Sequence, residues 1–109
     1  MRTCQIERCE RKYAAKGACR NHYMQLRERG LTVEEYNTFL LNQGHTCAVC
    51  HTGEPRGQGT WHIDRDHETG RVRGLLCNGC NVGIKMLGDN PDTLMAATAY
   101  LLQFSDILS

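Results

Sequence analysis

The stretch Cys47-Ala-Val-Cys50, followed by Trp61-His-Ile-Asp-Arg-Asp-His67 and Val72-Arg-Gly-Leu-Leu-Cys77-Asn-Gly-Cys80-Asn81, decides the reading of this 109-residue chain. Two residues between paired cysteines let both sulfurs face one ion from a tight turn, and four thiolates in tetrahedral array suit a closed, structural zinc site. Cys47, Cys50, Cys77 and Cys80 form such a set. The 26 residues between the pairs are too many for a simple ribbon, so the spacer must carry structure of its own. That spacer holds a D-x-D-H cluster, and an asparagine directly follows the last cysteine. A purely structural zinc has no use for this second, oxygen- and imidazole-rich set.

Working outward, the N-terminal segment offers Cys4-x4-Cys9-x9-Cys19-x2-His22, a candidate three-cysteine, one-histidine zinc site that uses the remaining cysteines. Metal binding would then fold a basic segment that has little core of its own. His45 and His51 flank the first knuckle and read as neighbouring surface histidines. Seven cysteines in C-x2-C and related spacings, with no secretory pattern at the start of the sequence, read as metal binding in a reducing cytoplasm rather than a disulfide framework. No apolar run approaches the roughly 18 residues of a membrane span.

The formal net charge of +1 conceals a polarity. Residues 1–30 carry eight Arg or Lys against three Glu, and residues 31–109 carry five against nine Asp or Glu. The basic end is a candidate phosphate-binding face. The organisation follows as a basic zinc-finger-like segment over 1–30 and a second unit over 31–109. Leu31 before Thr32, with Glu35 three residues on, predicts a capping box and a helix to Gln43, stopped by Gly44. Thr52–Thr60 is a loop. Trp61–Asp66 and Arg71–Leu76 predict a hairpin turning at Glu68-Thr-Gly70, and a helix follows from Cys77 to about Leu87. Asn90-Pro91-Asp92 starts a last helix, whose Leu94, Ala97, Leu101 and Phe104 recur at core spacing.

Phosphodiester hydrolysis requires charge stabilisation at phosphorus and a base to deprotonate water. A hard divalent cation on oxygen ligands supplies the first, and a neutral imidazole the second. Asp64, Asp66, His62 and His67 offer carboxylates and imidazoles, with residues 62, 64 and 66 on one strand face. Asn81 is held rigidly by the knuckle beside it. The plain alternative is a surface Asp pair with a turn histidine.

The pattern D-x-D-H-x-T-G-x-V-R-G-L-L-C-x-x-C-N, dense over residues 61–81, resembles the phage recombination endonuclease VII family, a branch of the HNH or ββα-metal nucleases. The resemblance covers about residues 33–103. It implies an α+β chain, a small zinc-stabilised ββα-metal (HNH, His-Me finger) fold with flanking helices. One catalytic Mg2+ or Mn2+ would be held by Asp64 and Asn81, with DNA as substrate. The N-terminal segment is similar to an accessory finger of some phage HNH proteins. Two departures stand out. Where the family reads D-H-x-H, Arg65 takes the first histidine's place. Either His67 is then the base with Asp64 on the metal, the favoured reading, or Asp66–His67 act as the pair; His62 is a further candidate. In addition, an acidic ligand found in some members is replaced by Val82-Gly-Ile-Lys85. Arg65, Arg71 and Arg73 are candidate DNA contacts, and Gly74 is read as allowing close approach beside the knuckle. The resolvase's long dimerisation region has no counterpart, which favours a monomer. The expected protein is a host- or phage-encoded DNA endonuclease. Its rivals are a non-catalytic zinc module binding DNA or protein, and a redox dithiol protein.

Overall fold

A helix starts at Thr32 because Thr32 and Glu35 satisfy each other's backbone N–H groups, which no helix can pair internally. Its Oγ1 accepts from the Glu35 amide at 3.1 Å, and Glu35 Oε1 accepts from the Thr32 amide at 3.0 Å. The computed structural model describes residues 2–57 and 59–104, so Gln58 of the long loop lies outside them. In order the elements are α1 (Arg20–Arg29), α2 (Val33–Asn42), β1 (His62–Arg65), β2 (Val72–Leu76), α3 (Asn78–Met86) and α4 (Pro91–Leu102). The chain is thus α+β, a hairpin and following helix with further helices around it. The sequence places all of these within a residue or two except α1.

α1 escapes notice because its buried side chains are only His22 and Leu26. Its sequence signs lie at the end, where Gly30 adopts φ 69° and donates its N–H to the Leu26 carbonyl, after Arg27 and Arg29 in the last turn.

β1 and β2 pair antiparallel, with His62 opposite Leu76, Ile63 opposite Leu75 and Asp64 opposite Gly74. The register then slips, Arg65 facing Val72, so that Arg73 is the extra residue of a β-bulge. The turn is closed by Asp66, whose Oδ1 accepts from the Glu68 and Thr69 amides at 2.8 and 3.1 Å. The outer edge of β2 is covered by a side chain. Gln43 Nε2 donates to the Leu75 carbonyl at 2.9 Å, and Gln43 Oε1 accepts the Leu75 amide at 3.0 Å. Gly74 is needed there, since a Cβ would lie 3.2 Å from Gln43 Oε1 and 3.6 Å from the knuckle residue Ala48.

One hydrophobic core runs through both charge halves of the chain, from Ile6, Ala18 and Leu26 to Tyr36, Leu40, Ile63 and Leu75. Tyr36 is fully buried, with the His22 ring edge-on at 5.4 Å between centroids. Polar ties cross the same seam. Asn37 Nδ2 donates to the Gln5 carbonyl at 2.9 Å and Asn37 Oδ1 accepts from the Glu7 amide at 2.8 Å. Gln25 Nε2 donates to the Trp61 carbonyl at 2.6 Å.

The expectation that α4 packs its Leu94, Ala97, Leu101 and Phe104 in the core is corrected. Leu94 and Ala97 are half-buried, while Leu101 and Phe104 are 65% and 75% exposed. The helix is apolar nearly all round, so its periodicity selects no single face, and the core is already closed by α2 and the hairpin. Truncating Leu40 to alanine should therefore cost about 2–5 kcal/mol of unfolding free energy. Leu101→Ala should change it by about 0.5 kcal/mol or less. Urea unfolding with zinc bound measures both, and equal losses would show that α4 is covered.

Candidate metal centres and active-site cleft

The two cysteine sets converge in space. Cys4, Cys9, Cys19 and His22 bring their ligand atoms within 4.8 Å of one another, as do Cys47, Cys50, Cys77 and Cys80. Zinc–sulfur bonds near 2.3 Å put tetrahedral sulfurs about 3.8 Å apart. Cys50 and Cys77 are separated by 3.8 Å, and Cys9 and Cys19 by 4.0 Å. His22 turns Nδ1 into its cluster, 3.4 Å from Cys4 Sγ and 3.2 Å from Cys19 Sγ. Both sets fit structural zinc, and all seven cysteines are free of disulfides.

The surroundings prepare these groups for a cation. Burial and then the nearby Arg11 push His22 down to about 4, leaving the neutral imidazole that metal binding requires. Around Cys47, burial raises the thiol, but backbone amides of Cys77, Cys50 and Val49 outweigh it and bring the group down to about 6. Burial and neighbouring sulfurs hold Cys80 up to about 12. Crowded thiols of this kind lose their remaining protons readily only to a metal. His45 and His51 stand outside both clusters, with positive φ of 61° and 63°.

The ligands also shape the chain. Cys77 follows β2 and is the N-cap of α3, its sulfur accepting from the Cys80 amide at 3.4 Å. Asn81 therefore sits in the first turn of a helix whose start is pinned by a cluster residue. Across from it, Asp64 is a buried carboxylate on β1.

Four charged groups meet here. Arg73, re-aimed by the bulge, donates from Nε to Asp64 Oδ2 at 2.7 Å and from Nη2 to Asp64 Oδ1 at 3.0 Å. The same Nη2 reaches Asp89 Oδ1 at 2.9 Å. Lys85 donates to Asn81 Oδ1 at 2.6 Å and lies 3.7 Å from Asp64 Oδ1. The Asp64 carboxylate and the Asn81 amide oxygen thus converge on one cation, in this structure an ammonium. A buried carboxylate needs such pairing.

Of the other expected residues, His62 lines a cleft together with Asn81. Burial, then Lys85 and Arg29, lower its proton affinity, and Asn78 partly opposes them. His67 lies exposed in the hairpin turn, with no hydrogen bond or ion pair to Asp64 or Asn81 among the described residues. Asp66 uses its carboxylate on the turn, and those amide donors from Thr69 and Glu68 hold it below the usual range. Arg65 is half-buried at the end of β1, Arg71 is exposed past the turn, and Arg73 is committed to the two aspartates. Sequence reasoning missed Asp89 and the position of Lys85. Their partners are distant in the chain, and no local spacing signals the contact.

The model of the recombination endonuclease VII family matches residues 20–103. The chain belongs to that family. It joins a family of nucleases, enzymes that hydrolyse phosphodiesters. Two curated relatives are the Gene 59 protein of Mycobacterium phage D29, 42% identical over 52 residues, and the Gene 59 protein of Mycobacterium phage L5, 40% identical over 52 residues. Each alignment covers 48% of this chain and 31% of the relative, so the similarity spans less than a third of those proteins' length. No solved structure gives a significant match. Among the described residues no helix is long and apolar enough to cross a membrane.

Elemental analysis of the purified protein should return two zinc ions per chain. Cys9→Ser should lower that to one, and Cys47→Ser should remove the other ion together with the cooperative unfolding transition. A single zinc in the unaltered protein would eliminate the N-terminal centre.

Proposed function

We propose that the chain is a DNA endonuclease dependent on a divalent metal such as Mg2+ or Mn2+, with Asp64 and Asn81 as the protein ligands of that metal. The observation that carries the reading is the convergence of Asp64 Oδ1 and Asn81 Oδ1 on the Lys85 ammonium. Two oxygen ligands with room left for phosphate and water suit such ions. When bound, the cation supplies Lewis-acid stabilisation of the charge that develops on phosphate. Lys85 and Arg73 contact these same oxygens, so a cation held by Asp64 and Asn81 would share them with both side chains. Lys85 and Arg73 would place positive charge beside a phosphate bound there, where it is useful.

The water proton needs a neutral imidazole within reach. Two histidines compete for the role. His67 keeps the place that the motif suggests, whereas His62 shares the cleft with Asn81 and is kept neutral by its surroundings. On geometry we assign the proton to His62. The HNH designation, the host-cell or phage setting and a monomeric enzyme belong to the same proposal.

The rival reading is a zinc-stabilised binding module in which Asp64, Arg73 and Asp89 form a finished ion-pair network. It has an observation of its own, because Arg73 already satisfies both oxygens of Asp64.

Conversion of supercoiled plasmid by the zinc-loaded protein separates the two. Cleavage should require added Mg2+ or Mn2+, and Asp64→Asn and Asn81→Ala should each reduce its rate at least about a hundredfold, as loss of metal-held charge stabilisation does. His62→Ala should fall similarly and His67→Ala by less. Reversal of the two histidines would return the base to His67, and no cleavage in either metal with DNA still bound would favour the module. Lys85→Ala should lower the Mn2+ concentration at half-maximal binding, read by the paramagnetic relaxation of water, because its ammonium no longer competes.

A further inference from the structure

We propose that α1 is the second wall of the cleft in front of Asn81 and His62, and that its Arg20 and Arg29 grip the phosphate backbone of DNA there. The inference rests on the nuclease reading for its choice of ligand, but not for its geometry.

At 3.6 residues per turn, positions 20, 24 and 28 form one row and positions 21, 25 and 29 the adjacent row. His22 and Leu26 point the other way, into the core. The face formed by the two rows meets β1 and α3 across a cleft of about 310 Å3, with Arg20, Gln25 and Arg29 on one side and His62 and Asn81 on the other. The helix belongs to the N-terminal segment, yet it looks onto the residues proposed to carry the chemistry.

Charge accounting singles out these two arginines. The cations nearest Asp64 and Asn81 are Arg73 and Lys85, and both are already engaged. Arg20 and Arg29 make no ion pair or hydrogen bond among the described residues, although Glu28 lies on the same helix face. They are the cleft-lining guanidiniums left to neutralise an incoming anion. A guanidinium fork matches a phosphodiester oxygen pair better than an ammonium does. They stand nine positions apart on a helix rising about 1.5 Å per residue, some 13 Å along the axis. That span reaches two or more phosphates of one strand rather than a single free ion.

The wall is fixed as well as charged. Cys19 is the N-cap of α1 and His22 its third residue, and both belong to the N-terminal metal cluster. Farther along, Gln25 Nε2 holds the Trp61 carbonyl at 2.6 Å, one residue before β1. Gln25 Oε1 is buried without a partner among the described residues. The N-terminal metal therefore sets where the arginines stand, beyond folding a basic arm.

Duplex binding tests the wall without cleavage. The full, zinc-loaded chain is titrated against a fluorescein-labelled 20-base-pair duplex with no Mg2+ or Mn2+ added, between 50 and 200 mM salt. Each backbone contact steepens the logarithmic salt dependence by about 0.9. Arg20→Gln and Arg29→Gln should each flatten it by about one contact, shrinking the affinity ratio across that salt range about threefold, and about tenfold in the double variant. Arg29→Lys should keep the wild-type slope while weakening binding, and two zinc ions should remain in every variant. Arg27→Gln, on the same helix outside the cleft, controls for net charge and should change the slope little. The wall is overturned if the double variant keeps the wild-type slope, if Arg27→Gln matches Arg29→Gln, or if the unaltered protein does not bind the duplex. Duplex binding with the expected slopes but without plasmid cleavage under any metal would leave the wall standing and remove the nuclease reading alone.

Discussion

Cys77 belongs to three things at once: it follows the last residue of β2, caps α3, and gives a sulfur to the second metal cluster. A hairpin of four- and five-residue strands is too small to be stable by itself. The short helix after it has no fully buried side chain. Neither could hold the other in place by apolar contact alone. A metal on Cys47, Cys50, Cys77 and Cys80 ties the strand end, the helix start and the knuckle after α2 into one frame. The separation of Asp64 from Asn81 is a consequence of that frame, because one residue rides on the hairpin and the other on the first turn of the capped helix.

Within the frame, a single register slip decides the electrostatics. Had the ladder continued regularly, Arg73 would pair with Arg65 and point to the face opposite Gly74. The bulge makes Arg73 the extra residue and brings its guanidinium onto Asp64 and Asp89. Lys85, one turn after Asn81, completes the ring of charges. Asp64 is paired by Arg73 and lies 3.7 Å from the Lys85 ammonium. Lys85 and Arg73 together place two positive charges against the Asp64 carboxylate.

How much of this was legible depended on whether the determining contact was local. The two cysteine sets were readable because a tight turn fixes the spacing of its sulfurs. The capping box at Thr32 and Glu35, the Asn90-Pro91 start and the hairpin were readable for the same reason. Gly74 was readable too, since a glycine beside a knuckle implies close approach. The bulge was not, because nothing in Arg71-Val-Arg-Gly distinguishes a slipped ladder from a regular one. Asp66 and His67 are site candidates by spacing; the turn uses an Asp66 oxygen and His67 is exposed, contacts the spacing does not show. α4 misled in the opposite sense, its all-round apolar sequence suggesting a burial that the structure does not give it. The position of Lys85 depends on α3 meeting β1, a contact that no window of sequence contains.

α1 shows most clearly why local reading has an edge. A ten-residue helix of mostly polar side chains is marginal in water, and its apolar side is little more than His22 and Leu26. It is a helix here because its N-cap Cys19 and third residue His22 belong to the N-terminal cluster, and its end is closed by Gly30. Order in α1 therefore comes from the N-terminal cluster, and contact with the rest of the chain comes through Tyr36, Asn37 and Trp61. On the proposed reading the two metals divide one task. The C-terminal cluster sets the chemical groups against each other, and the N-terminal cluster sets the backbone-gripping wall against both. Losing the N-terminal metal would leave Asp64 and Asn81 in place and release Arg20 and Arg29. The N-terminal segment is then half of the cleft rather than an appendage to it, which is why the hydrophobic core passes through the charge boundary near residue 30 instead of stopping there.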